Sequence, residues 1–449
     1  MNIAEKTLGR NIVEEALGHI DQAAVTALVT EMIDIPSPMG GEEALARYLE
    51  GRFRSAGLKT RLQEVEPGRF NVYGLLEGTG GGANLMYVGH LDTTYGGDEE
   101  GIRDLGPGYQ PKARVDGDWV HGLGVYNMKG GHASAILAVE ALARSKARFP
   151  GDLTIAGVVG ETCHTNVARY QGSRFRGCGI GARFMVANGV GADMVVIPEP
   201  TSNRISTASG GYVFFELQTR GNPGATYKRG GMSLQVKPGE DAIEKMLRAI
   251  PALKSWGEDY LSHTHYHGEP AGNVNIIAIE GGHPFRPSKL PSFCRLYLEV
   301  GMMPGQDYGD IVEGVRECAR ALQRGSPDLQ VEVNVVQVAH TAEVSANEYV
   351  VRAVSKAHQT VWGKAPEVTW DGWYADTAPL TRAGIPSICY GPQGRMRGGG
   401  SGYYPKEGEH VNIGDLTLGA AVFVHAAYDI CTQPRAAVRA KQPSGTVTR

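Results

Sequence analysis

No two cysteines in the sequence stand at C-x-x-C spacing; the six present (Cys163, Cys178, Cys294, Cys318, Cys389 and Cys431) are scattered along the chain. That scatter argues against a thiolate metal cluster and a disulfide framework, and it reads as reduced thiols in a cytoplasm. An excess of charge of one sign is also missing, since 44 lysines and arginines stand against 48 aspartates and glutamates for a net charge of -4. Such a balance gives no electrostatic footprint for nucleic acid or for an anionic membrane. There is no apolar run of membrane-spanning length, and the charged stretch Met1 to Leu28 lacks the apolar core of a secretion signal. The expectation is a soluble, cytoplasmic protein that handles a small molecule or a peptide.

What the chain has is core material: 449 residues, of which 42% are hydrophobic and 20% charged, more than one core usually serves, so two domains are expected. The stretch around which the rest is organised is Leu85-Met86-Tyr87-Val88-Gly89-His90-Leu91-Asp92. Its apolar run reads as a buried strand that delivers a histidine and a carboxylate at its C-terminal end. Ligands of open α/β sheets bind in the crevice beyond the carboxyl ends of the strands, so His90 and Asp92 are candidates for a site. Before this stretch, helical patches run from Asp21 to Ala56 with a break at Pro36 to Gly41, and Arg61 to Glu77 reads as strands. After it, a Gly-rich passage leads through Asn127-Met128-Lys129-Gly130-Gly131 into an Ala-rich helix, Ala133 to Ser145.

These residues carry a resemblance. A strand ending in His-x-Asp, followed by a loop closing on Met-Lys-Gly-Gly before an Ala-rich helix, resembles the aminoacylase, desuccinylase and glutamate carboxypeptidase family of zinc metallopeptidases. Leu153 to Glu161 is similar to the family's strand that ends in its catalytic glutamate, and Ala192 to Thr201 to the segment presenting a metal carboxylate. Tyr374-Ala375-Asp376 and Gly384 to Pro392 are similar to its C-terminal strand and loop. The resemblance implies an α/β fold: a zinc-peptidase-like catalytic domain with a mixed central sheet flanked by helices, interrupted by an α+β lid and dimerisation domain. The catalytic domain would comprise residues 1–209 and 341–449, and the lid 210–340. Within the lid, strands are read at Tyr212 to Arg220, Asn273 to Glu280, Cys294 to Gly301 and Val331 to Val338, and helices at Asp241 to Leu253 and Gly309 to Arg324. Self-association through the lid is implied, with Tyr212 to Arg220 expected to offer an edge for pairing.

In the family pattern two divalent metals share a bridging aspartate while a neighbouring glutamate takes a proton from water. By resemblance His90 is a metal ligand, Asp92 the aspartate that orients it, Glu161 the general base and Glu199 a carboxylate ligand. The departures are as informative. Asn127 stands where the bridging aspartate is expected, Thr162 where the second metal's glutamate follows the base, and Tyr404, or else Pro405, where its histidine would be. The expectation is one divalent transition metal per chain (manganese, zinc or cobalt), held by His90, Glu199 and the amide oxygen of Asn127. His164 and His410 are the residues able to rebuild a second site; for both, and for His263, His265 and His267 in the lid, ordinary loop roles are the expected ones. His121 and His132 read as structural or supporting residues.

The lid also departs from the pattern. Where the family has a histidine that steadies the oxyanion, this chain has Thr226 or Tyr227, and Ser288 and Gly301 replace its peptide-binding residues. Arg286, Arg395 and Arg397 are candidates for holding a substrate carboxylate, and Tyr404 for lining the same pocket. The resulting expectation is hydrolysis of a carbon–nitrogen bond in a small carboxylate-bearing molecule. The favoured specific reaction is that of an aromatic-amine aminohydrolase, 5-nitroanthranilate plus water giving 5-nitrosalicylate plus ammonia. A dipeptidase or N-acyl amino acid deacylase stands as one alternative, and a non-catalytic binding or scaffold descendant as another.

Overall fold

Leu85–His90 is buried along its whole length, because it lies between two parallel neighbours inside a large sheet. A strand covered on both faces must be apolar throughout, and this one is, up to His90. The computed structural model describes residues 12–146, 148–226, 240–392 and 407–439. The strands there, in chain order, are β1 (Lys59–Glu66), β2 (Arg69–Leu76), β3 (Leu85–His90), β4 (Arg114–Asp116), β5 (Trp119–His121), β6 (Leu153–Val158), β7 (Met194–Ile197), β8 (Ile205–Ser209), β9 (Gly211–Arg220), β10 (His265–Tyr266), β11 (Glu269–Pro270), β12 (Val274–Gly281), β13 (Phe293–Met302), β14 (Glu332–Ala339), β15 (Ala342–Glu343), β16 (Val368–Asp371), β17 (Ser387–Cys389) and β18 (His410–Asn412). The helices that matter are α1 (Gln22–Ile33), α2 (Glu43–Ser55), α3 (Gly130–Arg144), α4 (Ile180–Ala187), α5 (Ala242–His263), α6 (Tyr308–Gly325), α7 (Tyr349–Trp362), α8 (Thr377–Arg382) and α9 (Ile413–Cys431).

Among the described residues nine strands form a mixed sheet in the order β1-β2-β6-β3-β7-β17-β8-β15, with β16 added on β8. β6, β3 and β7 run parallel, while β1 and β2 form an antiparallel hairpin at one edge. Alternate residues of β3 serve opposite faces. Leu85 and Tyr87 join the core built with α1, α2, α3, α7 and α9, whereas Met86 and Val88 pack with Met185 of α4 and Leu380 of α8. The expectation that no segment reaches membrane-spanning length is corrected by α9, which is long and apolar enough to cross one; here it buries Phe423, Val424 and Ala427 in that core, and Tyr87 donates a 2.6 Å hydrogen bond to the carbonyl of Phe423. This is the fold class expected from the sequence.

The chain leaves the large sheet after Ser209 and returns to it at Ala342. Between, a fully antiparallel sheet in the order β12-β13-β9-β14 carries α5 and α6 on one face, with Val213, Phe215 and Leu217 against Met246, Leu253 and Val315. Asp241 and Asp307 start the two helices by accepting main-chain N–H groups of Ile243 and Gly309, both at 2.7 Å. Two expectations are corrected here. Tyr212 to Arg220 is not an edge: β9 is hydrogen-bonded to β13 on one side and β14 on the other, and its nearly continuous burial is that of a central strand. Among the described residues the edges of this sheet are β12 and β14. The helix expected to stop at Leu253 contains Pro251 and continues to His263, because Trp256 and Tyr260, whose rings stack 5.6 Å apart, keep packing against the core of this second sheet.

Candidate metal centre

The order β6-β3-β7 brings His90, at the end of β3, between Glu161 just beyond β6 and Glu199 just beyond β7. All three are buried, and one ligand atom from each lies within 4.8 Å of the others. Nε2 of His90 is 3.9 Å from Glu161 Oε2, 3.7 Å from Glu199 Oε1 and 2.9 Å from Oδ1 of Asn127. Asn127 arrives on the turn Val125–Lys129, which Glu409 holds by accepting the N–H groups of Tyr126 (3.0 Å) and Asn127 (3.1 Å). Close packing completes the arrangement: a Cβ on Gly131, in the first turn of α3, would stand 1.9 Å from the carbonyl oxygen of Pro198, so only glycine lets α3 approach the loop bearing Glu199.

Nδ1 of His90 lies 2.8 Å from the main-chain oxygen of Asp92. With Nδ1–H donated there, a neutral His90 turns the lone pair of Nε2 toward the oxygens of Asn127, Glu161 and Glu199, all of them acceptors. A proton on Nε2 or a metal cation reconciles such a set. The charges say the same. Burial, then Glu199 and Asp376, pushes Glu161 well above the usual carboxylate range. Glu199 is pushed up to about 7, mainly by burial, and Asp376 to about 8, again mainly by burial. Oδ1 of Asp376 is buried with no hydrogen-bond partner among the described residues. Burial lowers His90, but Asp92 and Glu199 outweigh it, and the imidazole is raised overall. A mixed nitrogen and oxygen donor set with surplus buried negative charge fits a divalent metal cation.

Asp92 is placed differently from expectation. Its Oδ1 is 3.8 Å from Nδ1 of His90, too far for a hydrogen bond to the ring. Instead Oδ1 accepts the N–H of Glu161 (3.0 Å), and Oδ2 accepts the N–H (3.0 Å) and the hydroxyl (2.7 Å) of Thr162. Burial opposes its charge, yet His90 and these donors keep its carboxyl below the ordinary range. The tight turn after β6 points those N–H groups back at Asp92, and the ring of His90 takes the carbonyl instead.

Thr162 is thus committed to Asp92. His164 faces the carbonyl of Arg174 (3.2 Å), and His410 stacks on His121 with ring centres 5.2 Å apart; none of these joins the cluster among the described residues. His132 lies beneath Gly89, pushed down to about 3 by burial and by the charge of His90. Thr226 and Arg286 sit exposed in the segment between β8 and β15, Arg286 with its guanidinium 5.4 Å above the ring of Phe285, and no hydrogen bond or ion pair ties either to the cluster among the described residues. Tyr227, Arg395, Arg397, Tyr404 and Pro405 lie outside the described residues. Two participants carried no assigned role in the sequence reading. Asp376 was visible within Tyr374-Ala375-Asp376, whereas nothing local marked Glu409 as the residue that shapes the Asn127 turn.

The sequence profile of Peptidase family M20/M25/M40 matches residues 86–429. The chain belongs to this family. As a member it is a metal-dependent hydrolase of carbon–nitrogen bonds. It is similar to the N-formyl-4-amino-5-aminomethyl-2-methylpyrimidine deformylase of Halalkalibacterium halodurans, 24% identical over 412 residues that cover 85% of this chain and 90% of the relative. Carboxypeptidase G2 of Pseudomonas sp. (strain RS-16) is 24% identical over 329 residues, 71% of this chain and 68% of its own. Among solved structures, the dipeptidase Dug1p of Saccharomyces cerevisiae superposes with a TM-score of 0.70 at 15% identity, over 93% of this chain and 98% of that one. The M20 fold is thereby shared over 93% of the chain.

Proposed function

We propose that this M20 hydrolase releases ammonia from a small aromatic amine that also bears a carboxylate, with 5-nitroanthranilate as the favoured substrate and 5-nitrosalicylate as the product. The observation that carries the reading is the convergence of His90, Asn127, Glu161 and Glu199, in which an amide replaces the bridging carboxylate and a hydroxyl, bonded to Asp92, replaces the second metal's glutamate. We assign the metal, one ion of manganese, zinc or cobalt, to His90, Glu199 and the amide oxygen of Asn127; when bound it supplies Lewis acidity to the oxygen and to the charge that develops on the ring.

Glu161 acts as the general base. Its buried carboxylate, raised in proton affinity, accepts a proton from water. The hydroxide oxygen forms a bond to the ring carbon that bears the amine, and the displaced electron pair moves into the ring toward the nitro group. Glu161 then returns its proton to the amine, the carbon–nitrogen bond breaks, and ammonia leaves as the ring regains aromaticity. Charge accepted by the substrate's own nitro group explains why oxyanion donors in the lid are dispensable, Thr226 being an exposed lid residue here. We assign Arg286, Arg395 and Arg397 to the substrate carboxylate, with Tyr227 and Tyr404 beside it. Residues 210–340 form the lid in this reading, and copies associate through it, as the exposed Ile276, Ile277 and Ile279 on edge strand β12 favour. Six unpaired cysteines agree with a reducing cytoplasm.

The deformylase similarity favours a second reading, hydrolysis of an N-acyl group from a small ring-bearing amine. The experiment that separates the two follows metal-supplemented protein with 5-nitroanthranilate and with N-formyl and N-acyl amines. Ammonia and a hydroxylated ring are expected. Release of formate or acetate, with the aromatic amine untouched, would discard the aminohydrolase.

A further inference from the structure

Away from the metal centre, the described residues enclose a groove of about 350 Å³ where α4, α8 and the end of β14 meet. Its walls are apolar, from residues such as Val186, Val338 and Pro379, and no carboxylate lines it. The basic side chains in it are Arg183, Arg382 and His340. Burial holds the imidazole of His340 below its ordinary range, and the charges of Arg382 and then Arg183 lower it further, so both guanidiniums are felt at one ring. Arg183 is held by long 3.3 Å bonds to the carbonyls of Gly179 and Gly177. Arg382 has no carboxylate partner among the described residues. Like charges gathered over an apolar floor repel one another, and an anion cancels that repulsion.

We propose that this groove is a second ligand site, separate from the metal centre, that takes a small aromatic carboxylate. A ring suits the apolar walls, and the carboxylate suits two guanidiniums that bind it in forked geometry. The volume lies at the small end of ligand pockets, room for roughly 10–15 non-hydrogen atoms. The groove also straddles the domain junction. Arg183 and Arg382 stand on helices of the large sheet, whereas Val338 and His340 belong to the segment returning from the lid. Tyr374 and Cys178 also line the groove. A bound anion therefore bridges the helices of the large sheet and the segment that returns from β14.

The test uses the metal-loaded, full-length protein and 4-bromobenzoate, whose bromine reports its own position by anomalous scattering in crystals. A bromine peak between α4 and α8 is expected in the wild type and absent in Arg382→Ala, with metal content unchanged. In solution, calorimetry should show the dissociation constant weakened about tenfold or more by that substitution. Bromine found at the metal centre alone, or nowhere in the chain, overturns the site and leaves the proposed reaction standing. A dissociation constant unaltered in the Arg183→Ala, Arg382→Ala double variant overturns it equally.

Discussion

The carboxylate of Asp92 is bonded to the main-chain N–H of Glu161 at 3.0 Å, while the ring of His90 is bonded to the main-chain oxygen of Asp92 at 2.8 Å. One residue thereby fixes both the base and the histidine, each by a different group. In Asp92→Asn the side-chain amide would present a donor to the N–H or hydroxyl donors of the 161–162 turn, misplacing Glu161, while the carbonyl that holds His90 is unchanged. The expected result is a kcat about 10–100-fold lower with metal affinity within about threefold of wild type. Metal titration beside steady-state kinetics checks this. A variant that loses metal but keeps its turnover per bound ion would return Asp92 to the role of orienting His90.

Glu161→Gln removes the proton acceptor and keeps the shape. Turnover is expected to fall by about 10²–10⁴-fold with the metal still bound. Near-normal turnover in metal-loaded variant protein would show that another group takes the proton from water.

What was legible in the sequence follows from how local the signal is. His90 was readable because a buried strand with a polar residue at its end is a pattern within ten residues, and Glu161 and Glu199 repeat it on the neighbouring strands. The turn carrying Asn127 was readable for the same reason. Asp376 and Glu409 took no role because burial makes them what they are, and that burial comes from distant chain: Glu409 is bonded to residues 282 and 283 positions earlier. The bonding of Asp92 is a matter of geometry. Spacing places it beside His90, but only the path of the turn after β6 decides which of its atoms faces the ring. The central place of β9 in its sheet likewise depends on β14, more than 100 residues later, pairing with it.

Arg69 is fully buried, with Nε 3.1 Å from Glu42, Nη1 3.0 Å from Glu66, and Nη1 also donating to the carbonyls of Ser173 and Arg176. It fastens the loop after Glu161 to the sheet edge. Arg69→Met strands the buried carboxylate of Glu42, so the variant is expected to lose about 3–5 kcal/mol of stability. Chemical denaturation measures it; a loss under about 1 kcal/mol would mean that Glu42 finds another donor or takes up a proton cheaply.

Protons compete with the metal. Glu199 and Asp376 have folded values of about 7 and about 8, above the ordinary carboxylate range, and Glu161 is raised as well. A group raised on folding holds more protons in the native than in the unfolded chain, so its contribution to metal-free stability falls as pH rises from about 4 toward 8. Metal requires these groups deprotonated, and its stabilising effect grows over the same range. The gap between melting temperatures of metal-loaded and metal-free protein should therefore widen from about pH 6 to pH 8. A gap that narrows would mean that Glu199 is not a ligand.

The remaining prediction concerns how many ions the centre holds. A bridging aspartate lends charge to two cations at once, whereas Asn127 lends none, and two dications about 3.5–4 Å apart would face each other with little between them. Thr162 cannot help, since its hydroxyl is bonded to Asp92 at 2.7 Å, and His164 and His410 are turned to main-chain carbonyls of Arg174 and Gly408. One ion per chain is expected, held loosely enough for dialysis to strip it and added salt to restore activity. Asn127→Asp adds a charge at an atom 2.9 Å from Nε2 of His90 and should tighten the ion by about tenfold or more. It should not bring in a second ion, because the other ligands of that site are still missing. Elemental analysis of active protein decides the matter: two tightly held ions in the wild type would require a ligand set beyond His90, Asn127 and Glu199, and a one-metal mechanism would have to be given up.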